Sequence, residues 1–259
     1  MRTTGSLDGI VHKQSGVNLQ SNNVNNYQGI WAMMLNTPAA SNLYVDNGKA
    51  ITFAGSISTS SSGAVLVLTW KGLQYLPNGV ANLPNVTVKA QISVRVDSQL
   101  SFWTFEADGL GTNSVLSVTY PFISGIDKLG QSADDDQLLI PQTKGTIFHN
   151  PTVNLVQPYG SLYPSAYASM QMLAYFDATS GFYFASDDTQ GYTKHFWWGK
   201  STSPAGDFTI NLGHCCPKQA QILRPVLQTG ALRAWRWNSE VAVYRCELAP
   251  PVQEPYRPR

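Results

Sequence analysis

The chain has 259 residues and a formal net charge of +1; 43% of its residues are hydrophobic and only 13% are charged. The hydrophobic fraction excludes disorder along the whole chain, and the near-neutral charge argues against a nucleic-acid partner, which needs a concentrated basic face. No run of about 18 apolar residues is present, so we expect no membrane partner. Neutral amides and hydroxyls replace the missing charges, which favours a partner rich in hydroxyls, such as carbohydrate.

The amino-terminal sequence MRTTGSLDGIVHK lacks the apolar core of a signal peptide. The composition is nevertheless typical of exported β-proteins. We therefore expect an extracellular or periplasmic protein whose leader is not part of this sequence, and a cytoplasmic protein is the alternative.

Alternation with a period of two residues dominates the chain. The segment Gly63–Leu73 is rich in β-branched and aromatic residues and predicts a buried strand. In Val86–Asp97 apolar and polar residues alternate, which predicts a strand with one buried and one solvated face. Further strands are predicted at short intervals, near Phe102, Val118, Leu173 and Phe184. Such dense, short strands predict an all-β sandwich or barrel with few or no helices.

Other segments give weaker signals. Residues 166–176 contain helix formers, but their tyrosines and phenylalanine favour β-structure. The segment Gly125–Asn150 shows few strand signals and is predicted to be a long functional or mobile loop. Residues 1–249 are predicted to form a single domain, and residues 250–259 a proline-rich tail or truncated linker.

Three blocks of the sequence carry a family resemblance. They are TGSLDGIVHKQSGVNLQ with NYQGIWAMML, then LSFWTFEADGLGTNSVLSVTYPFISGI, and then YPSAYASMQMLAYFDATSGFYFASDDTQGYTKHF. Together they resemble the galactose-mutarotase-like domain that precedes the (β/α)8 barrel of glycoside-hydrolase-like proteins. The resemblance covers most of residues 4–200 and implies a large antiparallel supersandwich. The piece VAVYRCELA looks like the bridge into the barrel, so the catalytic barrel is expected to lie outside this chain.

The resemblance implies a carbohydrate-associated domain that shapes or supports a sugar-binding site without turnover of its own. One alternative is a complete aldose mutarotase-like enzyme, in which a histidine acid and a carboxylate base act across the sugar ring. His149 or His195 with Glu106 are the candidates for that pair. A second alternative is a non-catalytic structural or interaction domain.

The candidate sugar-binding residues centre on the sequence HFWW. Indole faces suit the C–H faces of sugar rings, and nearby polar groups fix the hydroxyls. Strand alternation places His195 and Trp197 on one face and Trp198 on the other, so one side belongs to the core. The predicted set is Tyr163, Lys194, His195, Trp197, Trp198, Asp187, Asp188 and His149.

Within that set, Asp187 and Asp188 have two interpretations. Sugar hydrolysis commonly uses two carboxylates, but neighbouring residues on a strand point apart. A turn held by side-chain hydrogen bonds is therefore favoured over an acid/base pair, and Lys194 is expected to pair with one of the two.

No metal and no cofactor are expected. The spacing of Asp134–Asp136 does not match a calcium loop, and a solvated acidic loop is favoured. Cys215, Cys216 and Cys246, even with His214, do not form a zinc motif. Buried free thiols are favoured, while one disulfide to Cys246 stays open. The chain also has no phosphate-binding loop and no serine nucleophile motif.

Overall fold

The protein is all-β, which confirms the predicted fold class. The computed structural model describes residues 5, 7, 29–38, 41–74, 83–98, 100–126, 128–130, 132–155, 159–165, 168–178, 181–186, 193–200, 208–215, 227–231, 233–235, 242–244 and 247–248. From residue 208 onward it describes the strands by their backbone pairing.

Strands account for most of the described residues. They are β1 (Ala32–Asn36), β2 (Leu43–Asp46), β3 (Ala50–Ser60), β4 (Gly63–Leu73), β5 (Leu83–Arg95), β6 (Ser101–Asp108), β7 (Ser114–Ile126), β8 (Gln137–Ile140), β9 (Thr146–His149), β10 (Tyr159–Tyr163), β11 (Met172–Phe176), β12 (Gly181–Ala185), β13 (Lys194–Lys200), β14 (Phe208–Cys215), β15 (Leu227–Ala231), β16 (Arg233–Trp235), β17 (Ala242–Tyr244) and β18 (Glu247–Leu248). The helices within these ranges are α1 (Pro151–Asn154) and a single 3-10 turn (Asn47–Lys49). Neither is long enough to cross a membrane.

The strands form two sheets. The smaller sheet has six strands in the order β10-β13-β14-β7-β1-β2. The larger, 12-stranded sheet follows the path β3-β4-β5-β6-β17-β12-β11-β8-β9. Beside this path, β15 pairs with β6 and β18, and β16 pairs with β12. Among the described pairs, β17 lies parallel to β12 and β6, and the others are antiparallel.

Buried aromatic rings join the facing sides of the two sheets. Trp31, just before β1, lies with its ring centroid 5.7 Å from that of Trp70 and 5.8 Å from that of Phe105. Tyr120 of β7 lies 5.2 Å from Phe105 and 6.1 Å from Trp103 by the same measure. These separations fall in the range in which aromatic pairs attract one another beyond simple burial. The interior of the sandwich is therefore fixed by rings from both sheets.

The two longest sequence patterns give the strands that were expected. Strand β4 has the predicted bounds, Gly63–Leu73. In β5 the predicted inward residues Val86, Val88 and Ala90 are buried, whereas Lys89 between them is exposed. Beyond Ala90 the same face becomes progressively more exposed.

The prediction of a long irregular segment over Gly125–Asn150 is wrong. Strands β8 and β9 lie within it and pair with each other in antiparallel register. Each has four residues, so each shows only two steps of alternation, which is too short for a reliable periodic signal. Residues 172–176 form β11, in agreement with the preference for β-structure there.

Candidate functional site

Strand β13 carries four of the eight predicted sugar-binding residues. It lies between β10 and β14 in the smaller sheet. Lys194, Phe196 and Trp198 are buried and point into the sandwich. His195 and Trp197 alternate with them, are half-buried, and point to the outer face of the sheet. The expectation that the two faces of HFWW separate into a core side and an outer side is confirmed.

The outward pair stands over a glycine of β10. In the β10–β13 ladder, Gly160 lies opposite Trp197, and Leu162 lies opposite His195. A Cβ atom on Gly160 would overlap His195 Nε2 and lie 3.1 Å from Trp197 Cδ1. Both rings therefore occupy the space that a side chain at residue 160 would take, and only glycine allows this close approach. Leu162 is 48% exposed and extends the apolar surface beside them.

Strand β14 borders the outward pair on its other side. Its register places Gly213 opposite His195 and Asn211 opposite Trp197. The outward pair is thus flanked by glycine positions in both neighbouring strands.

The protonation state of His195 suits a neutral ligand. Partial burial lowers the pKa of His195 from its usual value of 6.5, because an imidazolium loses hydration in that position. At neutral pH the ring is therefore uncharged, with one nitrogen that donates and one that accepts a hydrogen bond. Such a ring pairs with hydroxyl groups, which are donors and acceptors at once.

The inward residues of the predicted set belong to the interior. Lys194 is fully buried, and its Nζ lies 5.5 Å from the ring centroid of Tyr163, its neighbour across the ladder. A cation over an aromatic face is favourable in such a position. Trp198 is also fully buried. Because a sugar in solvent does not reach side chains without exposed surface, we assign Lys194 and Trp198 to the core.

The remaining histidine and its carboxylate candidate are far apart in the fold. His149 is exposed at the end of β9, an edge strand of the larger sheet. Glu106 is in β6 of the same sheet, separated from β9 by β17, β12, β11 and β8. Glu106 alternates with the buried residues Phe105 and Ala107 and so points out of the larger sheet, whereas His195 points out of the smaller one. The described residues bring neither histidine to Glu106.

The acidic stretch after β7 divides into two environments. Asp134 and Asp135 are exposed, as predicted for a solvated loop, but Asp136 is fully buried. Its Oδ2 accepts hydrogen bonds from the Leu129 backbone N–H at 3.2 Å and from Tyr175 Oη at 2.5 Å. Burial raises the pKa of Asp136 to about 6. The described part of the chain holds no group of three or more histidines, cysteines or acidic residues that would bind a metal ion.

Several predicted features lie outside the described residues. They are Asp187, Asp188, Cys216, Cys246 and the tail 250–259. Their predicted roles stay predictions.

Comparison with known proteins rests on structure, because no family model and no curated protein matches this sequence. The α-N-acetylgalactosaminidase NagBb from Bifidobacterium bifidum, solved in complex with GalNAc, matches 81% of this chain with a TM-score of 0.56 and 12% sequence identity. The fold resembles part of a glycoside hydrolase. A quadruple mutant of NagBb matches 82% of the chain with a TM-score of 0.57 and 10% identity.

The fold also occurs in a protein of another description. A TPR-domain containing protein from Parabacteroides distasonis matches 93% of this chain with a TM-score of 0.50 and 8% identity. The chain spans 31–32% of the two NagBb chains and 43% of the TPR-domain protein. At these identities the likeness shows the shared fold, and function has to be argued from the site.

Proposed function

We propose that this chain is a carbohydrate-associated β-sandwich domain of a glycoside-hydrolase-type protein, of the galactose-mutarotase-like kind. Two observations support the proposal. The sandwich is shared with NagBb, a glycosidase solved with a bound sugar. The outer face of the smaller sheet carries a half-buried indole beside an imidazole, over Gly160. The chain would supply a sugar contact, and turnover would belong to a barrel domain outside this sequence.

The surface around Trp197 is the observation that carries the sugar-binding part of the proposal. The indole lies close to the backbone of Gly160, where a Cβ atom would be 3.1 Å from Trp197 Cδ1, and this packing reduces the side-chain entropy lost when a ligand binds. A sugar ring stacked on it would bury apolar C–H groups. The neutral His195 would pair with a ring hydroxyl.

The ligand class follows from the shape of the sugar. Galactose-type pyranoses, including GalNAc, carry an axial hydroxyl at C4 and so present a continuous apolar C–H patch on the opposite ring face. That patch suits an indole better than the ring faces of glucose or mannose do. GalNAc is also the sugar bound to NagBb. We therefore propose galactose-type sugars as the ligand.

Thermal-shift measurements against GalNAc, galactose, glucose and mannose test the proposal. We expect the melting temperature to rise with the concentration of the galactose-type sugars, because a ligand that binds only the folded state stabilises it by mass action. Trp197→Ala should remove the shift, because the stacking surface is lost. Tyr44→Ala is the matched control: Tyr44 is an aromatic residue, 47% exposed, on β2 at the opposite edge of the same sheet.

Two results would contradict a sugar site at Trp197. One is a shift that survives Trp197→Ala, and the other is a shift lost equally in Tyr44→Ala. A well-folded protein that responds to none of the sugars would favour the second candidate function, a non-catalytic structural or interaction domain. The occurrence of this fold in a TPR-domain containing protein favours that second candidate.

A further inference from the structure

A second half-buried aromatic side chain lies on the outer face of the smaller sheet, in the same row as Trp197. The register of β14 places Asn211 opposite Trp197 on one side and opposite Phe122 of β7 on the other. The residue after Phe122, Ile123, is buried in the core, so the half-buried Phe122 points to the outer face. Trp197 and Phe122 therefore lie two strands apart on one surface.

A hydrogen-bonding side chain accompanies each of the two aromatic rings. In the adjacent row, Gly213 of β14 lies opposite His195 on one side and opposite Thr119 of β7 on the other. Thr119 is half-buried and follows the buried Val118, so it points outward. A register shift in β7 between Thr119 and Phe122 keeps both residues on the outer face although they are three positions apart. The threonine hydroxyl, like a neutral imidazole, both donates and accepts hydrogen bonds.

The spacing of these two groups matches a chain of sugars. Strand β14 separates β13 from β7, so the two aromatic rows are two strand spacings apart, which is about 10 Å. Two units of an extended pyranose chain advance by a similar distance. Gly213, at the middle position of the polar row, adds no side chain to the surface. The first and third units of one chain would therefore each meet an aromatic ring and a hydrogen-bonding group.

We propose that the ligand of this surface is an oligosaccharide of at least three units, which crosses β13, β14 and β7. Its galactose-type end lies on Trp197 and its third unit lies on Phe122. The inference rests on the sugar contact proposed at Trp197 and adds a second contact to it. A single sugar occupies only one of the two positions. Two weak contacts joined in one molecule bind more tightly than either contact alone, because the second contact forms within the complex.

Isothermal titration calorimetry with galactose and its β-linked oligomers of two to five units tests the proposal. We expect the dissociation constant to fall about tenfold between two and three units, because the contact with Phe122 forms at the third unit. Phe122→Ala should remove this gain, so that the trisaccharide binds as weakly as galactose does. Galactose itself should bind Phe122→Ala as it binds the wild-type protein, which also shows that the variant is folded. Trp197→Ala should weaken the binding of every member of the series.

Two further variants complete the test. Phe122→Leu keeps an apolar side chain without a ring face and should also lose the gain at the third unit. Tyr44→Ala, at the β2 edge of the same sheet, should keep it. Equal affinities for galactose and the trisaccharide would overturn the proposal and leave the contact at Trp197 standing, and so would a gain that survives in Phe122→Ala. Binding of no sugar by the folded protein would overturn both the second contact and the first.

Discussion

Replacing Trp31 with alanine should lower the free energy of unfolding by about 3–5 kcal/mol, the usual cost of removing a large aromatic side chain from a core. Trp31 has no exposed surface and contacts Trp70 and Phe105 of the facing sheet. Its loss would leave a cavity between the two sheets. Urea unfolding followed by circular dichroism measures the change.

Trp31→Phe separates ring packing from polarity. The indole Nε1 of Trp31 is buried without a hydrogen-bond partner among the described residues, so phenylalanine removes an unsatisfied donor while keeping an aromatic ring. We expect Trp31→Phe to recover most of the stability that Trp31→Ala loses. Trp197→Ala on the outer face should cost only about 1–2 kcal/mol. Equal losses for Trp31→Ala and Trp197→Ala would contradict the sandwich interior described here.

The stability of the protein should fall as the pH rises from about 4 to about 7, and Asp136→Asn should remove most of that fall. Burial raises the pKa of Asp136 from 3.8 to about 6. The hydrogen bonds from Tyr175 and Leu129 lower this pKa, but the effect of burial is larger. A carboxyl with a raised pKa in the folded state favours folding when it is protonated. Its contribution is therefore complete below pH 3.8 and is lost as the pH passes through 6.

The size of the effect follows from the shift. A change from 3.8 to about 6 corresponds to at most ~3 kcal/mol, at about 1.4 kcal/mol for each pKa unit. Asp177, the next residue in register across from Asp136, is also buried, and its charge raises the pKa of Asp136 further. Urea unfolding at several pH values measures the slope, with Asp134→Asn as the control, because Asp134 is exposed and does not contribute to the pKa shift of Asp136. A pH slope that is unchanged in Asp136→Asn would refute the assignment.

The local pattern of apolar residues in the sequence was sufficient to predict the long strands but not the short ones. Gly63–Leu73 is rich in β-branched and aromatic residues over its whole length, and Val86–Asp97 alternates over many residues, so both strands, and the inward face of the second, followed from the sequence. The buried Asp136 was missed because its exposed neighbours Asp134 and Asp135 suggested a solvated loop. The available signal was the two-residue spacing of Asp136 with Leu138 and Ile140, which are the buried residues of β8, the strand that begins directly after Asp136.

The surface around Trp197 and His195 depends on tertiary structure that the local sequence does not contain. Alternation showed that Trp197 and Trp198 point apart, but the side that faces the core is decided by the packing of the smaller sheet on the larger one. The role of Gly160 depends on the register of β10 against β13, strands distant in sequence. The sequence around a single glycine in a strand does not identify the side chains that pack against that glycine.

The central claim is a sugar contact at Trp197, and the indole N–H resonances of the seven tryptophans in a proton–nitrogen correlation spectrum test it most directly. Trp197→Ala assigns the resonance of Trp197 by its disappearance. Titration with the galactose-type sugars should move that resonance and leave those of the buried Trp31 and Trp70 in place. A Trp197 resonance that stays fixed while the sugar saturates the protein would contradict the account.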